Sequence, residues 1–149
     1  MEKSLEKIKE NLTKFLFAKK EIVLAYLFGS SLKGMIGGRH DIDIAILLAP
    51  EAFETLENAP NYKHEAELIA ELVHLLKHNR VDLVILNRAT PLLAYEVIHK
   101  GNLLFSRSED QRIQFEVLSL KRHSDTKHLR TIKRIYIKER SKQGLPAYG

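Results

Sequence analysis

The stretch LFGSSLKGMIGGRHDIDIAILL, residues Leu27–Leu48, contains the features that decide the fold and the chemistry of this chain. An apolar run ends at a Gly-Ser pair, a glycine-rich loop follows, and two aspartates one residue apart then lie within a second apolar run. Burial of one unpaired carboxylate is costly, and a second carboxylate beside it adds repulsion. A positively charged group is therefore expected beside Asp41 and Asp43.

The two aspartates lie in DIDIAILL, which is predicted to form a strand over residues 41–48. Because alternate side chains of a strand point to opposite faces, Asp41 and Asp43 share one face and the intervening isoleucines point to the other. Two carboxylates about 6–7 Å apart along a strand can share a divalent cation. Mg²⁺ prefers oxygen ligands and is often held by one or two carboxylates together with substrate phosphates. The pair therefore predicts a metal ion that arrives with a phosphate-bearing substrate.

The Gly29-Ser30 turn is predicted to supply the complementary half of the site. It follows an apolar strand and is expected to open a short helix that reaches about Gly34. Glycine lets the backbone approach a phosphate closely, and the free N–H groups at a helix start point at an anion. Ser30 adds a hydroxyl group. The turn is therefore predicted to cradle phosphate groups.

A third carboxylate, Asp82, lies in the apolar run VDLVILN. Alternation places Asp82 on the face opposite to Val81, Leu83 and Ile85. Beside a metal pair, Asp82 could hold a second Mg²⁺ or accept the proton of an attacking hydroxyl, and the sequence leaves both interpretations open. A lone D-x-D or Gly-Ser pair is a weak signal, so the prediction of a metal–phosphate site depends on their combination.

The remaining pattern predicts alternating helices and strands. Apolar residues at helical spacing predict two amphipathic helices, over residues 4–19 and 64–78. Pro91 fits the first turn of a further helix that reaches about Lys100. Short apolar runs predict four strands, over residues 21–28, 41–48, 81–87 and 102–106. This order of elements predicts an α/β or α+β domain, a small mixed sheet with helices packed on it.

Helix ends and connections are also predicted. Thr90 is expected to be an N-cap, and Gly101 is expected to end the same helix at the C′ position. Residues 51–63 are predicted to be a connection with about a turn of helix. A long helix is expected from Glu109 to about Arg140, with a candidate interruption at His123-Ser124-Asp125.

Size and composition favour one domain over residues 1–142, followed by a disordered tail over residues 143–149. The chain has 149 residues, of which 44% are hydrophobic, and no cysteine, which excludes disulfides and thiolate metal sites. No apolar run approaches the ~20 residues that cross a bilayer, and MEKSLEKIKENLTKF lacks the apolar core of a signal peptide. These features predict a cytoplasmic protein that does not bind membranes.

The net charge of +5 is concentrated near the C-terminus. Residues 121–142 contain nine Lys or Arg against two acidic residues, a local charge of +7, which leaves −2 for the rest. Ile132, Ile135 and Tyr136 lie at helical spacing among these cations. The segment is consistent with a solvated helix face, with docking of a partner helix, or with binding of a nucleic acid backbone.

Gly29-Ser30, ten intervening residues and Asp41-Ile42-Asp43 together resemble the signature of the polymerase-beta-like nucleotidyltransferase superfamily. The short chain resembles the minimal nucleotidyltransferases (MNT), which include MntA-type antitoxins paired with HEPN-domain toxins. The later segment Val81–Arg107 is also similar to the second half of that family's domain. The resemblance covers roughly residues 21–107 and implies a polymerase-beta-like nucleotidyltransferase fold.

The resemblance implies that Gly29 and Ser30 bind the β- and γ-phosphates of a nucleoside triphosphate. Family members often have G-S-R-A-R-G where this chain has GSSLKG, so Lys33 is the remaining cation in that turn and could contact a phosphate as a point charge. The family commonly has serine where this chain has His40. Neither departure removes a carboxylate, but both bear on nucleotide affinity.

The resemblance further implies that Asp41, Asp43 and Asp82 ligate Mg²⁺, and that Asp82 assists the attack of an acceptor hydroxyl on the α-phosphorus. The implied activity is transfer of AMP from ATP to a tyrosine of a cognate HEPN toxin, an RNase that the modification silences, within a hetero-oligomer. The alternatives are an adenylyltransferase for a small hydroxylated molecule and a non-catalytic antitoxin that blocks its toxin by binding. Direct nucleic acid binding is the less favoured interpretation.

Overall fold

The computed structural model describes residues 2–29, 41–58 and 63–144. The elements are α1 (Glu2–Phe17), β1 (Ile22–Phe28), β2 (Ile42–Leu48), α2 (Pro50–Asn58), α3 (Lys63–Leu76), β3 (Val81–Ile85), a 3₁₀ turn (Leu86–Arg88), α4 (Pro91–Lys100), β4 (Asn102–Ser106) and α5 (Glu109–Lys142). The predicted short helix after Gly29 and residues 145–149 of the predicted tail lie outside the described residues. Among the described residues, no helix is both long and apolar enough to cross a membrane.

The four strands form one mixed sheet in the order β3-β2-β1-β4. Strand β1 is antiparallel to both β2 and β4, whereas β2 and β3 are parallel. A parallel pair needs a crossover connection, and α2 and α3 occur within the one that joins β2 to β3. The predicted class, a small mixed sheet with helices packed on it, is confirmed.

Each face of the sheet carries its own core. Ile42, Ile44 and Ile46 are at most 2% exposed and pack with apolar side chains of α1, α2 and α3. The alternate residues, such as Tyr26 and Ala45, pack on the other face with side chains of α4 and α5. Alternation along β2 therefore places Asp43 on the face that α4 and α5 cover.

Strand β3 is shorter than predicted, because a side chain rather than the β3 backbone makes the last hydrogen bonds to β2. The strand ends at Ile85, and a 3₁₀ turn follows. The Leu48 N–H donates to Oδ1 of Asn87, and Nδ2 of Asn87 donates to the Leu48 carbonyl, both at 2.9 Å. The amide of Asn87 therefore satisfies the backbone of β2 beyond the end of β3.

Two helix predictions need correction. The connection after β2 contains the nine-residue helix α2 rather than about one turn. The candidate interruption of α5 is wrong, since the helix is continuous over 34 residues. That helix contains neither glycine nor proline, the residues that interrupt helices most strongly. The His123 ring also stacks on Tyr95 of α4, with ring centroids 3.8 Å apart, and this contact stabilises the helix at the site of the predicted interruption.

Thr90 and Gly101 lie at the two ends of α4, as predicted. The prediction of Thr90 as N-cap is confirmed, since its hydroxyl accepts from the Leu93 N–H at 3.2 Å. Gly101 ends the helix but is the C-cap residue, and its backbone is extended, with φ −80°, rather than left-handed. A Cβ at this position would lie 2.4 Å from the Val97 carbonyl oxygen. Glycine is therefore required there for space.

Candidate active site

Three carboxylates converge at one end of the sheet. Parallel pairing of β2 and β3 places Asp43 directly opposite Asp82. Asp41 comes just before β2, not within it as predicted, and its spacing of two from Asp43 directs both to one face. Each of the three offers a carboxylate oxygen, and these oxygens all lie within 4.8 Å of one another. The structure thus brings together the three aspartates that the sequence singled out.

The cluster is electrostatically unfavourable when nothing positive is bound to it. Asp43 is partly buried, and this burial, followed by the charges of Asp82 and Asp41, raises its pKa from the usual 3.8 to about 6. Asp41 and Asp82 are exposed to solvent. Three acidic side chains therefore lie at short range, and repulsion between their charged forms favours the binding of a cation.

Gly29 lies against the same cluster. Its φ is +84°, in the left-handed region that glycine adopts without strain. A Cβ built there would lie 2.0 Å from Oδ2 of Asp43 and 3.0 Å from its Cγ. The glycine that was predicted to approach a phosphate thus also makes room for a carboxylate of the site. Ser30, Lys33 and His40 lie outside the described residues.

Sequence reasoning missed one cation near the site. The Arg80 Nε lies 3.8 Å from Oδ1 of Asp41, and both side chains are about half exposed. The Ile42 N–H donates to the Arg80 carbonyl at 2.8 Å, which ties the starts of β2 and β3 together. A surface ion pair of this kind contributes about 0–1 kcal/mol. The signal that could have found it is its place directly before the strand that carries Asp82.

The donor set fits a hard divalent cation. Carboxylate oxygens are the ligands that Mg²⁺ prefers, and the ion is commonly bound by few protein carboxylates while other oxygens complete its coordination. Two of the three carboxylates are solvent-exposed, so further oxygen ligands can reach them. Within the part of the chain that the structure describes, this cluster consists of carboxylates and contains no sulfur or imidazole ligand.

Comparisons with known proteins identify the family to which this chain belongs. The family model described as polymerase beta, nucleotidyltransferase, matches residues 10–110. Protein adenylyltransferase MntA of Shewanella oneidensis is 33% identical over 104 residues, which cover 69% of this chain and 68% of that protein. The residues that the family model matches include Asp41, Asp43 and Asp82.

Solved structures show the same fold. A crystal structure of a toxin–antitoxin with AMP-PNP is 27% identical, with a TM-score of 0.65, and the match covers 88% of this chain and 96% of that one. The structure of a tri-AMPylated Shewanella oneidensis HEPN toxin in complex with an MNT antitoxin contains a chain that is 26% identical to this chain, with a TM-score of 0.63. The match covers 91% of this chain and 97% of the matched chain. The chain therefore belongs to the polymerase beta nucleotidyltransferase family of enzymes, in its minimal, MntA-type branch.

Proposed function

We propose that this chain is a Mg²⁺-dependent antitoxin that transfers AMP from ATP to a tyrosine hydroxyl of a cognate HEPN-type toxin and so neutralises it. The observation that carries the proposal is the convergence of Asp41, Asp43 and Asp82 beside Gly29, in a chain of the MntA-type branch. The relatives solved with AMP-PNP and with an AMPylated toxin support the donor and the acceptor.

The three aspartates are assigned to hold Mg²⁺ with the phosphates of ATP. Mg²⁺ bound there would neutralise the carboxylates and stabilise negative charge on the transferring phosphoryl group. Asp43 would be the central ligand, because it follows Asp41 by two residues, pairs with Asp82 across the strands and is the least exposed of the three. Asp41 and Asp82 flank it from the start of β2 and from β3.

The Gly29-Ser30 turn is assigned to the phosphates that leave as pyrophosphate. Gly29 has no side chain to separate its backbone from the carboxylates, so a phosphate can approach both at once. Ser30 and Lys33 follow directly in the sequence and are expected to donate a hydroxyl hydrogen bond and a positive charge to the same phosphates.

Asp82 is assigned to the acceptor side of the reaction. The tyrosine oxygen forms a bond to the α-phosphorus of ATP, the bond from that phosphorus to the oxygen shared with the β-phosphate breaks, and pyrophosphate leaves. The hydroxyl proton passes to a base, and Asp82 is exposed beside Asp43, where it can accept that proton. We therefore assign Asp82 to both roles that the sequence left open, metal binding and proton acceptance.

The test is AMP transfer to an RNase-inactive form of the cognate toxin. The toxin incubated with this chain, ATP and Mg²⁺ should gain the mass of AMP on tyrosine, and Asp41→Asn or Asp43→Asn should abolish the gain. Transfer that persists at the normal rate in both variants contradicts the proposal. Rescue of growth by a variant that lacks all three aspartates would favour the non-catalytic antitoxin instead.

A further inference from the structure

Helix α5 carries most of the large apolar side chains that are exposed among the described residues. Of the eleven large hydrophobic side chains that are exposed among the described residues, eight belong to this helix. We call these eight the outer face of α5: Ile113, Val117, Leu118, Leu120, Leu129, Ile132, Ile135 and Tyr136. So much clustered apolar exposure marks an interaction surface rather than ordinary surface variation.

The outer face is opposite to the side of α5 that packs on the body. The less exposed positions before residue 127 are 112, 115, 116, 119, 123 and 126, which recur every three or four residues and form one side of a helix. At 100° per residue the outer face is centred on the other side. Ser119 is the one buried residue of the helix, so everything after it is at least partly open to solvent.

The helix points toward the end of the sheet that holds the carboxylates. The Arg107 N–H donates to the Val23 carbonyl near the start of β1, and the Tyr26 hydroxyl donates to Glu116 at 2.7 Å further along that strand. Helix α5 therefore advances in the direction of β1, which ends beside Gly29. The 26 residues after Glu116 span about 40 Å, so the helix extends beyond the carboxylate end of the sheet.

The charge of residues 121–142 indicates which kind of partner fits the outer face of α5. Residues 121–142 carry a net charge of +7. A second copy would bring two such segments together, and their repulsion disfavours that pairing. A nucleic acid would match the cations but would leave the apolar side chains without partners. The matching occupant is a protein with an apolar surface bordered by Asp and Glu side chains.

We propose that the outer face of α5 is the docking surface that holds the acceptor protein, through an apolar, carboxylate-bordered patch, at the carboxylate end of the sheet. The inference rests on the proposed function and deepens it, since it names the surface that delivers the acceptor hydroxyl to Asp41, Asp43 and Asp82. The match to the family model ends at residue 110, so all eight residues of this surface lie outside the matched region.

The test uses the double variant Ile132→Asp/Ile135→Asp and the RNase-inactive cognate toxin. We expect its affinity for the toxin, measured by calorimetry, to fall at least about 30-fold, as for loss of interface anchors. Leu92→Asp is the matched control, because Leu92 is similarly exposed but lies at the start of α4. It should bind within about twofold of the parent chain. Circular dichroism and Mg²⁺-ATP binding by the free variants should be unchanged.

A second pair of variants tests the charge. Lys133→Glu/Arg134→Glu should weaken toxin binding and reduce its salt dependence, whereas Lys7→Glu/Lys20→Glu, on the exposed surface around α1, should not. Unchanged toxin affinity in both the aspartate and the glutamate variants overturns the inference. The inference is also overturned, in favour of self-association, if the parent chain sediments as a dimer and Ile132→Asp/Ile135→Asp sediments as a monomer.

Failure of the docking proposal and failure of the proposed function give different results. Asp43→Asn should bind the toxin normally but transfer no AMP, whereas the α5 variants should lose transfer at low toxin concentration and regain it at high concentration. If the parent chain transfers no AMP, the proposed function fails. If the α5 variants transfer AMP as the parent does at every toxin concentration, the docking proposal alone fails.

Discussion

Replacement of Asp43 by asparagine should stabilise the metal-free protein while it removes activity. The substitution keeps the shape of the side chain but deletes the charge that burial, Asp82 and Asp41 disfavour. For a carboxyl whose folded-state pKa is above its unfolded value, the folded state binds more protons between those values, so stability falls as pH rises through them. Above pH 6 the full penalty is present, and below pH 3.8 it is absent.

The size of the effect follows from the same values. A pKa raised from 3.8 to about 6 corresponds to about 3 kcal/mol, because each unit is worth about 1.4 kcal/mol. Asp43 is only partly buried, and solvent screening reduces this to about 1–2 kcal/mol. For a domain of this length, that is an increase in Tm of about 3–6 °C near pH 8. The gain should shrink steadily as the pH is lowered toward 4.

The assay is urea unfolding in EDTA at several pH values, with Asp125→Asn as the control. Asp125 is an exposed aspartate on α5, so its substitution should change stability by less than about 0.5 kcal/mol at every pH. Mg²⁺ should then stabilise the parent chain and leave Asp43→Asn nearly unaffected. A variant that is less stable than the parent near pH 8, or equally altered at all pH values, would refute the electrostatic account of this cluster.

Two other substitutions test contacts on which the site and the fold depend. Gly29→Ala should lower the free energy of unfolding, measured in urea, by about 1–3 kcal/mol. Gly144→Ala should lower it less, because Gly144 has a similar φ of +71° but no atom within 4 Å of its new Cβ. Equal losses in the two variants would show that contact with Asp43 is unimportant. Arg107→Lys should lower the free energy of unfolding by about 1–3 kcal/mol. The Arg107 guanidinium donates to the carbonyls of Phe17, Lys19 and Ile22 and lies over the Phe17 ring, 4.4 Å from its centroid, and a lysine cannot make this set of contacts. An unchanged Tm would contradict this.

Local pattern was sufficient for most of the sheet and for the identity of its carboxylates. Alternation along DIDIAILL and VDLVIL correctly separated the aspartates from the isoleucines that fill the first core. What local pattern could not supply was that β2 and β3 are neighbours and parallel, in the register that pairs Asp43 with Asp82. That arrangement depends on the crossover through α2 and α3, which links residues far apart in the sequence.

The missed features are all contacts between distant segments. The Asn87 amide binds the backbone of Leu48, and Gly29 leaves space for Asp43, yet neither partner is visible from the sequence around the residue. The continuity of α5 is similar, since His123-Ser124-Asp125 has weak helix preference by itself. Its stacking on Tyr95 is a tertiary contact that overrides that preference.

Asp82 lies on an edge strand, so the two hydrogen bonds between Asn87 and Leu48, which we call the Asn87 clamp, bear on the geometry of the site. Strand β3 is at the edge of the sheet, and repulsion between the charged forms of Asp82 and Asp43 opposes its pairing with β2. The two hydrogen bonds between Asn87 and Leu48 oppose separation of the strands at the other end of the pair. Asn87→Ala should therefore increase amide hydrogen exchange in β3 more than in β1, and Mg²⁺ should reverse much of the increase. Equal exchange in both strands, or an increase that Mg²⁺ does not change, would mean that the carboxylates are held together independently of the clamp.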